Sequence, residues 1–182
     1  MPVPRFDIDL TESQRRVRES IQAICDDFDH EYWRRHAREE TYPHEFVDAL
    51  AAEGWLGVLI PESYGGKGLG TPETVVMMEE IAASGAGFGG AQTIHGGIYN
   101  SPPLVNNASP DRKETLLPKI ARGEVSIQAF GLTEPEAGSN APSMETFARR
   151  EGDEYVVSGE KMWISRVDVS DYMLLVARTS PK

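Results

Sequence analysis

Residues 130–140 combine groups that can bind a polar ligand through the backbone. They read Phe-Gly-Leu-Thr-Glu-Pro-Glu-Ala-Gly-Ser-Asn, with two glycines and two hydroxyl side chains. Glycines let the backbone approach a ligand closely, and successive N–H groups in such a loop attract a phosphate or the polar edge of a flat ring. The simpler interpretation is a strand-to-loop turn with capping hydroxyls, because glycine-rich loops are common.

A second segment, Lys-Met-Trp-Ile-Ser at residues 161–165, also suggests ligand binding. If it is a strand, Trp163 and Ser165 project to the same face. An indole beside a hydroxyl suits an aromatic ligand, because the indole covers a π-face and the hydroxyl meets a heteroatom at the ring edge. Taken alone, the segment favours the alternative, a sheet tryptophan packed against the helices.

The other reactive side chains form weaker patterns. His30, His36 and His44 lie in polar helical surroundings without the spacing of metal ligands. His95 is expected to be a hydrogen-bonded packing residue, with contact to a substrate as the alternative. The single cysteine, Cys25, cannot form an internal disulfide and falls near the apolar face of a helix, so we expect it to be inert.

Helical periodicity covers the first two-thirds of the chain. Thr11 and Gln14 fit a capping box, and the apolar residues that follow are spaced for one helical face: Val17, Ile21, Ile24 and Phe28. Further helices are predicted to begin near four residues, Pro43, Thr71, Ala91 and Pro110. We expect Pro102 and Pro103 to interrupt the one that begins at Ala91.

The helix from Thr71 has a predicted core-facing side and a predicted solvated side. Its core-facing residues are expected to be Val75, Met78, Ile81 and Ala82. Glu79 and Glu80 are assigned to the solvated side.

After Gly123 the periodicity changes to that of strands. Strands are predicted at residues 125–132, 146–150, 155–157, 161–165 and 172–177, and the second and third form a hairpin around Gly152 and Asp153. The sequence therefore predicts an α+β fold. An all-α helical domain over residues 1–123 is followed by the opening antiparallel strands of a β-barrel-like domain over residues 124–182.

Composition limits the classes of function. The 182 residues include 18 Lys and Arg against 29 Asp and Glu, a formal net charge of -11. This balance argues against a nucleic-acid partner, because clustered lysines and arginines bind nucleic acids. Residues 1–5 lack the apolar core of a signal peptide, and no stretch approaches the ~20 apolar residues that cross a bilayer. We expect a reduced, soluble, cytoplasmic protein with no membrane span.

Together, the two ligand-binding segments resemble those of the acyl-CoA dehydrogenase family. The middle β domain of that family carries an aromatic-x-x-Thr-Glu-Pro-x-Ala-Gly-Ser segment, matched by residues 130–139, and then Gly-x-Lys-x-Trp-Ile-Thr/Ser, matched by residues 159–165. Residues 54–66 and 117–124 resemble further family segments in the same order. Each motif alone is weak, whereas the ordered set over nearly the whole chain is specific.

The resemblance implies an FAD-dependent α,β-dehydrogenation of an acyl-CoA thioester, an oxidoreductase activity of fatty acid metabolism. In this reaction a carboxylate base removes the α proton and the β hydride passes to flavin N5. The implied partners are an acyl-CoA substrate and an electron acceptor such as electron-transferring flavoprotein. A homo-oligomer is implied for the complete protein.

The resemblance also implies roles for individual residues. Those implied to bind the cofactor are Phe130, Leu132, Thr133, Gly138, Ser139, Trp163, Ile164 and Ser165. Trp163 would cover the isoalloxazine ring and Ser165 would meet its N5 edge. Gly138 and Ser139 would lie near the flavin diphosphate and the CoA arm, with Ser139 hydrogen-bonded to the substrate.

The chain departs from the family pattern in three ways. The family fold ends in a four-helix bundle that carries the catalytic glutamate, and we expect that bundle to be absent from these residues. Glu134 and Glu136 lie in the flavin loop, so no catalytic residue is assigned, and we expect the chain alone to bind FAD weakly and to be inactive. Asn140 replaces a common Asp, and residues 166–168, Arg-Val-Asp, replace Asn-Gly or Asn-Ala.

Two other functions stay open at this point. A relative of acyl-CoA oxidases or nitroalkane oxidases would share the fold and differ in how the reduced flavin meets oxygen. A non-catalytic binding or adaptor protein would keep the flavin fold without a catalytic base.

Overall fold

The computed structural model describes residues 9–180, so the signal-peptide interpretation of residues 1–5 lies outside the described residues. The chain divides after Val125 into two compact units. Over the described part, the first unit contains α-helices and the second contains short strands. This order confirms the predicted fold class, a helical N-terminal domain followed by the first strands of a second domain.

The helices are α1 (Glu12–Asp26), α2 (His30–Glu39), α3 (His44–Ala52), α4 (Thr71–Ala83), α5 (Gly87–Asn107) and α6 (Pro110–Ala121). Helix α4 packs against both α1 and α5. The core between them is apolar, and its fully buried side chains include Ile21, Phe46, Leu50, Met77 and Ile81. No helix among residues 9–180 has both the length and the apolar character needed to cross a bilayer.

The capping box that begins α1 is confirmed. The Gln14 N–H donates to Thr11 Oγ1 at 3.2 Å, and the Thr11 N–H donates to Gln14 Oε1 at 2.9 Å. Both bonds satisfy N–H groups that have no partner within the helix. Three residues of the predicted apolar face, Val17, Ile21 and Ile24, are buried. The fourth, Phe28, lies beyond the end of α1 and is partly buried.

Helix α2 was not predicted as a separate element. None of its residues is buried, and only Tyr32, Trp33 and Ala37 are apolar, so few residues mark a core-facing side in the sequence. Asp29 caps its first turn by accepting the Tyr32 N–H at 2.8 Å. The Tyr32 hydroxyl accepts the Phe46 N–H at 3.3 Å and donates to Glu45 Oε2 at 3.2 Å, which ties α2 to α3. Burial is the main cause that raises the pKa of Tyr32 to about 12.

The buried face of α4 differs from the predicted one. Val75 is 59% exposed, whereas Val76 and Met77 are buried. Glu80, which was expected to be solvated, is also buried, and its Oε2 lies 3.3 Å from Arg18 Nε on α1. The opposite charge of Arg18 offsets the cost of burying the Glu80 carboxylate.

The prolines in α5 do not interrupt it, contrary to the prediction. The helix runs through Pro102 and Pro103 to Asn107. Pro102 has no N–H for the carbonyl of Ile98 one turn earlier. The Ser101 hydroxyl donates to that carbonyl at 2.8 Å instead, so the buried acceptor stays satisfied.

The strands are β1 (Ala129–Gly131), β2 (Phe147–Glu151), β3 (Glu154–Ser158) and β4 (Met173–Leu175). Strands β2 and β3 pair antiparallel, with Glu151 opposite Glu154, so the predicted hairpin is confirmed. Strands β1 and β4 pair in parallel, with Ala129 opposite Met173. For this pair the antiparallel prediction is wrong. A parallel partner needs a long connection, and the hairpin and the segment after it supply one.

The Ser101 hydroxyl gives a test of how α5 tolerates its prolines. Ser101→Ala should lower the free energy of unfolding by about 1–3 kcal/mol, because the buried Ile98 carbonyl loses its hydroxyl donor. Thr115 is the matched control, since its hydroxyl donates to the Asp111 carbonyl at 2.6 Å on an exposed face of α6. Thr115→Ala should change that free energy by less than about 0.5 kcal/mol in urea unfolding. Equal losses in the two variants would contradict the explanation.

Candidate functional site

The second unit brings the two predicted ligand-binding segments into contact. Phe130 lies on β1, and Leu132 and Thr133 follow it, all three partly buried. The Met162 N–H donates to the Thr133 carbonyl at 2.9 Å. The backbone that carries Thr133 therefore lies directly beside the backbone that leads into Trp163.

A tight turn separates Thr133 from Gly138. Glu134 and Ala137 exchange two backbone hydrogen bonds, of 3.1 and 3.2 Å, across Pro135 and Glu136. Gly138 and Ser139 then lie exposed at the end of the turn. A Cβ atom built on Gly138 would meet no atom within 4 Å. Packing within this unit therefore does not require glycine at position 138, and space remains there for a ligand.

Residues 161–165 do not form the predicted strand. Trp163 has φ of +60°, in the left-handed region, and this region interrupts a strand. The inference that Trp163 and Ser165 share a strand face is therefore wrong. Trp163 is 82% exposed, so packing within its own unit does not account for its position.

A close approach of the backbone determines how the chain enters this segment. A Cβ atom on Gly159 would lie 2.6 Å from Thr146 Cα, a distance that real contacts do not reach. Glycine at position 159 therefore lets the chain leave β3 directly over Thr146. The following residues, 160–164, form no regular structure.

Three hydroxyl groups in the predicted site are available to a ligand. Among residues 9–180, the hydroxyls of Thr133, Ser139 and Ser165 form no hydrogen bond with another described residue. Ser139 and Ser165 are exposed, and Thr133 is partly exposed. The site thus offers an exposed indole and unused hydroxyls, which are groups that can stack on and hydrogen-bond to a flat heteroaromatic ring.

The two substitutions relative to the family pattern, at residue 140 and at residues 166–168, have local structural roles. The Asn140 side-chain amide donates to Ser143 Oγ, a bond that an ionised aspartate in its place could not donate. Arg166 has φ of +62°, and its carbonyl accepts the Ser170 hydroxyl at 2.6 Å. Ser170 Oγ in turn accepts the Ala129 N–H at 2.9 Å, which ties this loop to β1.

A buried ion pair inside the two motifs was missed by sequence reasoning. Lys161 Nζ lies 2.9 Å from Glu134 Oε1, and both side chains are 6% exposed. Glu134 also accepts the Glu145 N–H at 2.6 Å and the Thr146 N–H at 2.9 Å. The backbone bond from Glu145 is the largest of several causes that lower the pKa of Glu134 to about 2, and the Lys161 ammonium adds to it. The available signal was that the two motifs carry opposite charges, Glu134 in the first and Lys161 in the second, among mostly apolar or small residues.

The reactive residues outside these motifs lie in the helical unit. His95 is exposed on α5, and its ring lies tilted against that of Tyr99 with centroids 4.9 Å apart, so it is not a buried packing residue. Cys25 is buried, and burial raises its pKa. Over residues 9–180 no three His, Cys, Asp or Glu side chains converge as metal ligands would. None of the eight predicted cofactor residues lines the open groove of about 540 Å³ beside Trp55.

The low pKa of Glu134 predicts a specific pH dependence of stability. The folded-state pKa of about 2 lies below the ordinary 4.5, so ionised Glu134 contributes stability above pH 4.5 that is lost as the pH falls toward 2. In Glu134→Gln, the urea midpoint should fall less steeply between pH 5 and pH 2 than in the wild type. Glu136→Gln, at an exposed position of the same turn, should follow the wild-type curve. Parallel curves for the wild type and Glu134→Gln would contradict the assignment.

Comparison with family models gives two adjoining matches. Residues 11–124 match the N-terminal domain of acyl-CoA dehydrogenases, and residues 129–182 match the middle domain. The two matches follow one another in the same order as the two structural units.

Individual relatives agree with these matches. The acyl-CoA dehydrogenase FadE12 of Mycobacterium tuberculosis H37Rv is 34% identical over 169 residues, which cover 93% of this chain and 43% of that protein. Mitochondrial isovaleryl-CoA dehydrogenase of Bos taurus is 33% identical over 176 residues, covering 93% and 40%. The structure of butyryl-CoA dehydrogenase from Megasphaera elsdenii superposes with a TM-score of 0.82 at 26% identity, over 97% of this chain and 46% of that one.

The chain spans about two-fifths of the length of the curated relatives that it matches. The family models nevertheless cover most of its residues, in two consecutive domains. The chain belongs to the acyl-CoA dehydrogenase family.

Proposed function

We propose that this chain supplies the flavin-contacting part of an FAD-dependent acyl-CoA dehydrogenase, which desaturates an acyl-CoA thioester between its α and β carbons. Residues 1–123 form the helical domain and residues 124–182 form part of the middle domain. The electron acceptor is an electron-transferring flavoprotein, the complete enzyme is a homo-oligomer, and the site of action is the cytoplasm.

Trp163 is the observation that carries this proposal. The left-handed conformation of a bulky residue costs roughly 1–2 kcal/mol. Trp163 adopts this conformation although its indole is 82% exposed. Neither feature benefits the folding of the unit in which it lies. Backbone strain of this kind concentrates at ligand-binding positions, and an exposed indole provides a stacking surface.

The other residues of the site fit the same ligand. Bound FAD supplies a planar ring that accepts a hydride. Thr133 and Ser165 would offer hydroxyls to the polar edges of that ring, and Gly138 leaves open space for the approach of the diphosphate. Phe130, Leu132 and Ile164, all partly buried, would contact its apolar parts, and Ser139 would hydrogen-bond to the substrate side.

The buried carboxylate of the flavin loop, Glu134, is not proposed as the proton-abstracting base. Glu134 accepts three hydrogen bonds with its two oxygens, and its pKa is about 2. A carboxylate held in the ionised form by three donors is a weak base near neutral pH. The family resemblance instead places the base in the C-terminal helical bundle, and we assign it there.

The relatives favour a dehydrogenase over an oxidase and over a non-catalytic protein. Both curated relatives cited above are named as dehydrogenases, and their identities exceed 30% over most of this chain. An oxidase relative would form peroxide from the reduced flavin in air. A non-catalytic relative would bind FAD and remain oxidised with every acyl-CoA.

Trp163 provides a direct test of flavin binding. In ¹⁵N NMR spectra, FAD should shift the indole N–H signal of exposed Trp163 and leave those of Trp33 and of buried Trp55 in place. Trp163→Gly should weaken FAD binding by at least about tenfold, a loss of ~1.4 kcal/mol. The same change should leave the free energy of unfolding unchanged or raise it by up to about 1 kcal/mol, because glycine relieves the strain at φ +60°. Unchanged FAD affinity would overturn the cofactor role of Trp163.

The assignment of the base predicts that residues 1–182 alone do not reduce FAD. Without a base at the α carbon, the reaction loses a contribution of roughly 10²–10⁴ in rate. Anaerobic mixtures of the chain, FAD and acyl-CoAs of several lengths should keep their flavin absorbance. Stoichiometric bleaching by any acyl-CoA would show that a base lies within these residues.

A further inference from the structure

We propose that the buried ion pair between Glu134 and Lys161 is a positioning device, which holds residues 132–134 and 161–163 in the one arrangement that presents Thr133 and Trp163 to the flavin. This role deepens the proposed function and rests on it. Neither residue was assigned a role from the sequence.

The ion pair joins three segments that are distant along the chain. Lys161 Nζ donates to the Leu132 carbonyl and to Glu134 Oε1, both at 2.9 Å. Glu134 accepts the backbone N–H groups of Glu145 and Thr146, which lie just before β2. Two side chains therefore fix residues 132–134, residues 145–146 and the start of the segment that carries Trp163.

Burial makes the loss of either partner of this ion pair costly. Both side chains are 6% exposed, so removal of either one leaves the other charge buried without its partner. An unpaired buried charge is far more costly than an unpaired exposed one. The arrangement of the two segments is therefore specified by charge as well as by packing.

The segment that carries Trp163 needs this anchor because it lacks a strand ladder. The Met162 N–H bonds to the Thr133 carbonyl, and two residues in the next four have positive φ, Trp163 and Arg166. Strained residues persist only where the surroundings over-determine them. Lys161 anchors the segment before Trp163, and the Ser170 hydroxyl holds the Arg166 carbonyl after it.

The pair acts through its neighbours and does not touch the ligand in this assignment. The Lys161 ammonium is engaged by two protein acceptors and the Glu134 carboxylate by three protein donors. Thr133 and Trp163 adjoin these anchors, and their own side chains stay available to the flavin. Glu134 and Lys161 are therefore positioning residues.

The test compares single and double variants of the full 182-residue chain. Lys161→Met and Glu134→Gln each leave one group without its charged partner, whereas the double variant leaves no isolated buried charge and should regain most of the lost stability. Positioning predicts that the double variant still differs from the wild type. Its Met162 and Thr146 amides should exchange with solvent at least tenfold faster than in the wild type. Its affinity for FAD, measured from the shift of the Trp163 indole signal, should be at least tenfold weaker. Amides of the β2–β3 hairpin should change less than threefold.

Two controls separate positioning from general stability. Lys161→Arg keeps the charge and should retain slow exchange at Met162. Arg149→Met breaks the exposed ion pair with Glu151 in the same unit and should alter neither readout. Wild-type exchange and FAD affinity in the double variant would overturn the positioning role.

Failure of the proposed function would look different. If FAD does not shift the Trp163 indole signal of the wild type, the flavin assignment fails, and with it the flavin part of this inference. The exchange rates of Met162 and Thr146 still decide whether the ion pair positions the two segments.

Discussion

The second unit depends on one buried carboxylate. Glu134 accepts a hydrogen bond from the ammonium of Lys161, 27 residues further along the chain. It also accepts two from backbone N–H groups just before the hairpin. In a unit whose strands are three to five residues long, ladder bonds hold little of the backbone. The ion pair compensates, because charge-assisted hydrogen bonds are stronger than neutral ones and their partners are shielded from water. The backbone around Thr133 and Trp163 follows from this connection.

The proposed site uses the order that the ion pair creates. Trp163 is exposed on a strained backbone, and the hydroxyls of Thr133, Ser139 and Ser165 have no partner among the described residues. Groups in these states contribute little to stability, so another part of the structure must hold them in place. The site thus separates a paired scaffold, Glu134 and Lys161, from the residues that are proposed to meet a ligand.

The helical unit handles buried polar groups in a similar way. Glu80 is buried on α4 opposite Arg18 of α1, and the Ser101 hydroxyl satisfies a carbonyl that Pro102 leaves without an N–H donor. In each case a side chain from the same unit supplies the missing partner. Without these partners, the buried charge and the buried carbonyl would each lower the stability of the unit.

The sequence by itself determined the features that depend on neighbouring residues. The capping box of α1 and the β2–β3 hairpin involve residues only a few positions apart, and the two motifs that carry the family resemblance are continuous segments. The eight proposed cofactor residues came from that family resemblance and remain a proposal. Tertiary structure alone decided the parallel pairing of β1 with β4, the left-handed conformation of Trp163 and the pairing of Glu134 with Lys161. These features depend on contacts between residues far apart in the chain, and local periodicity carries no information about which distant charge or strand will be the partner.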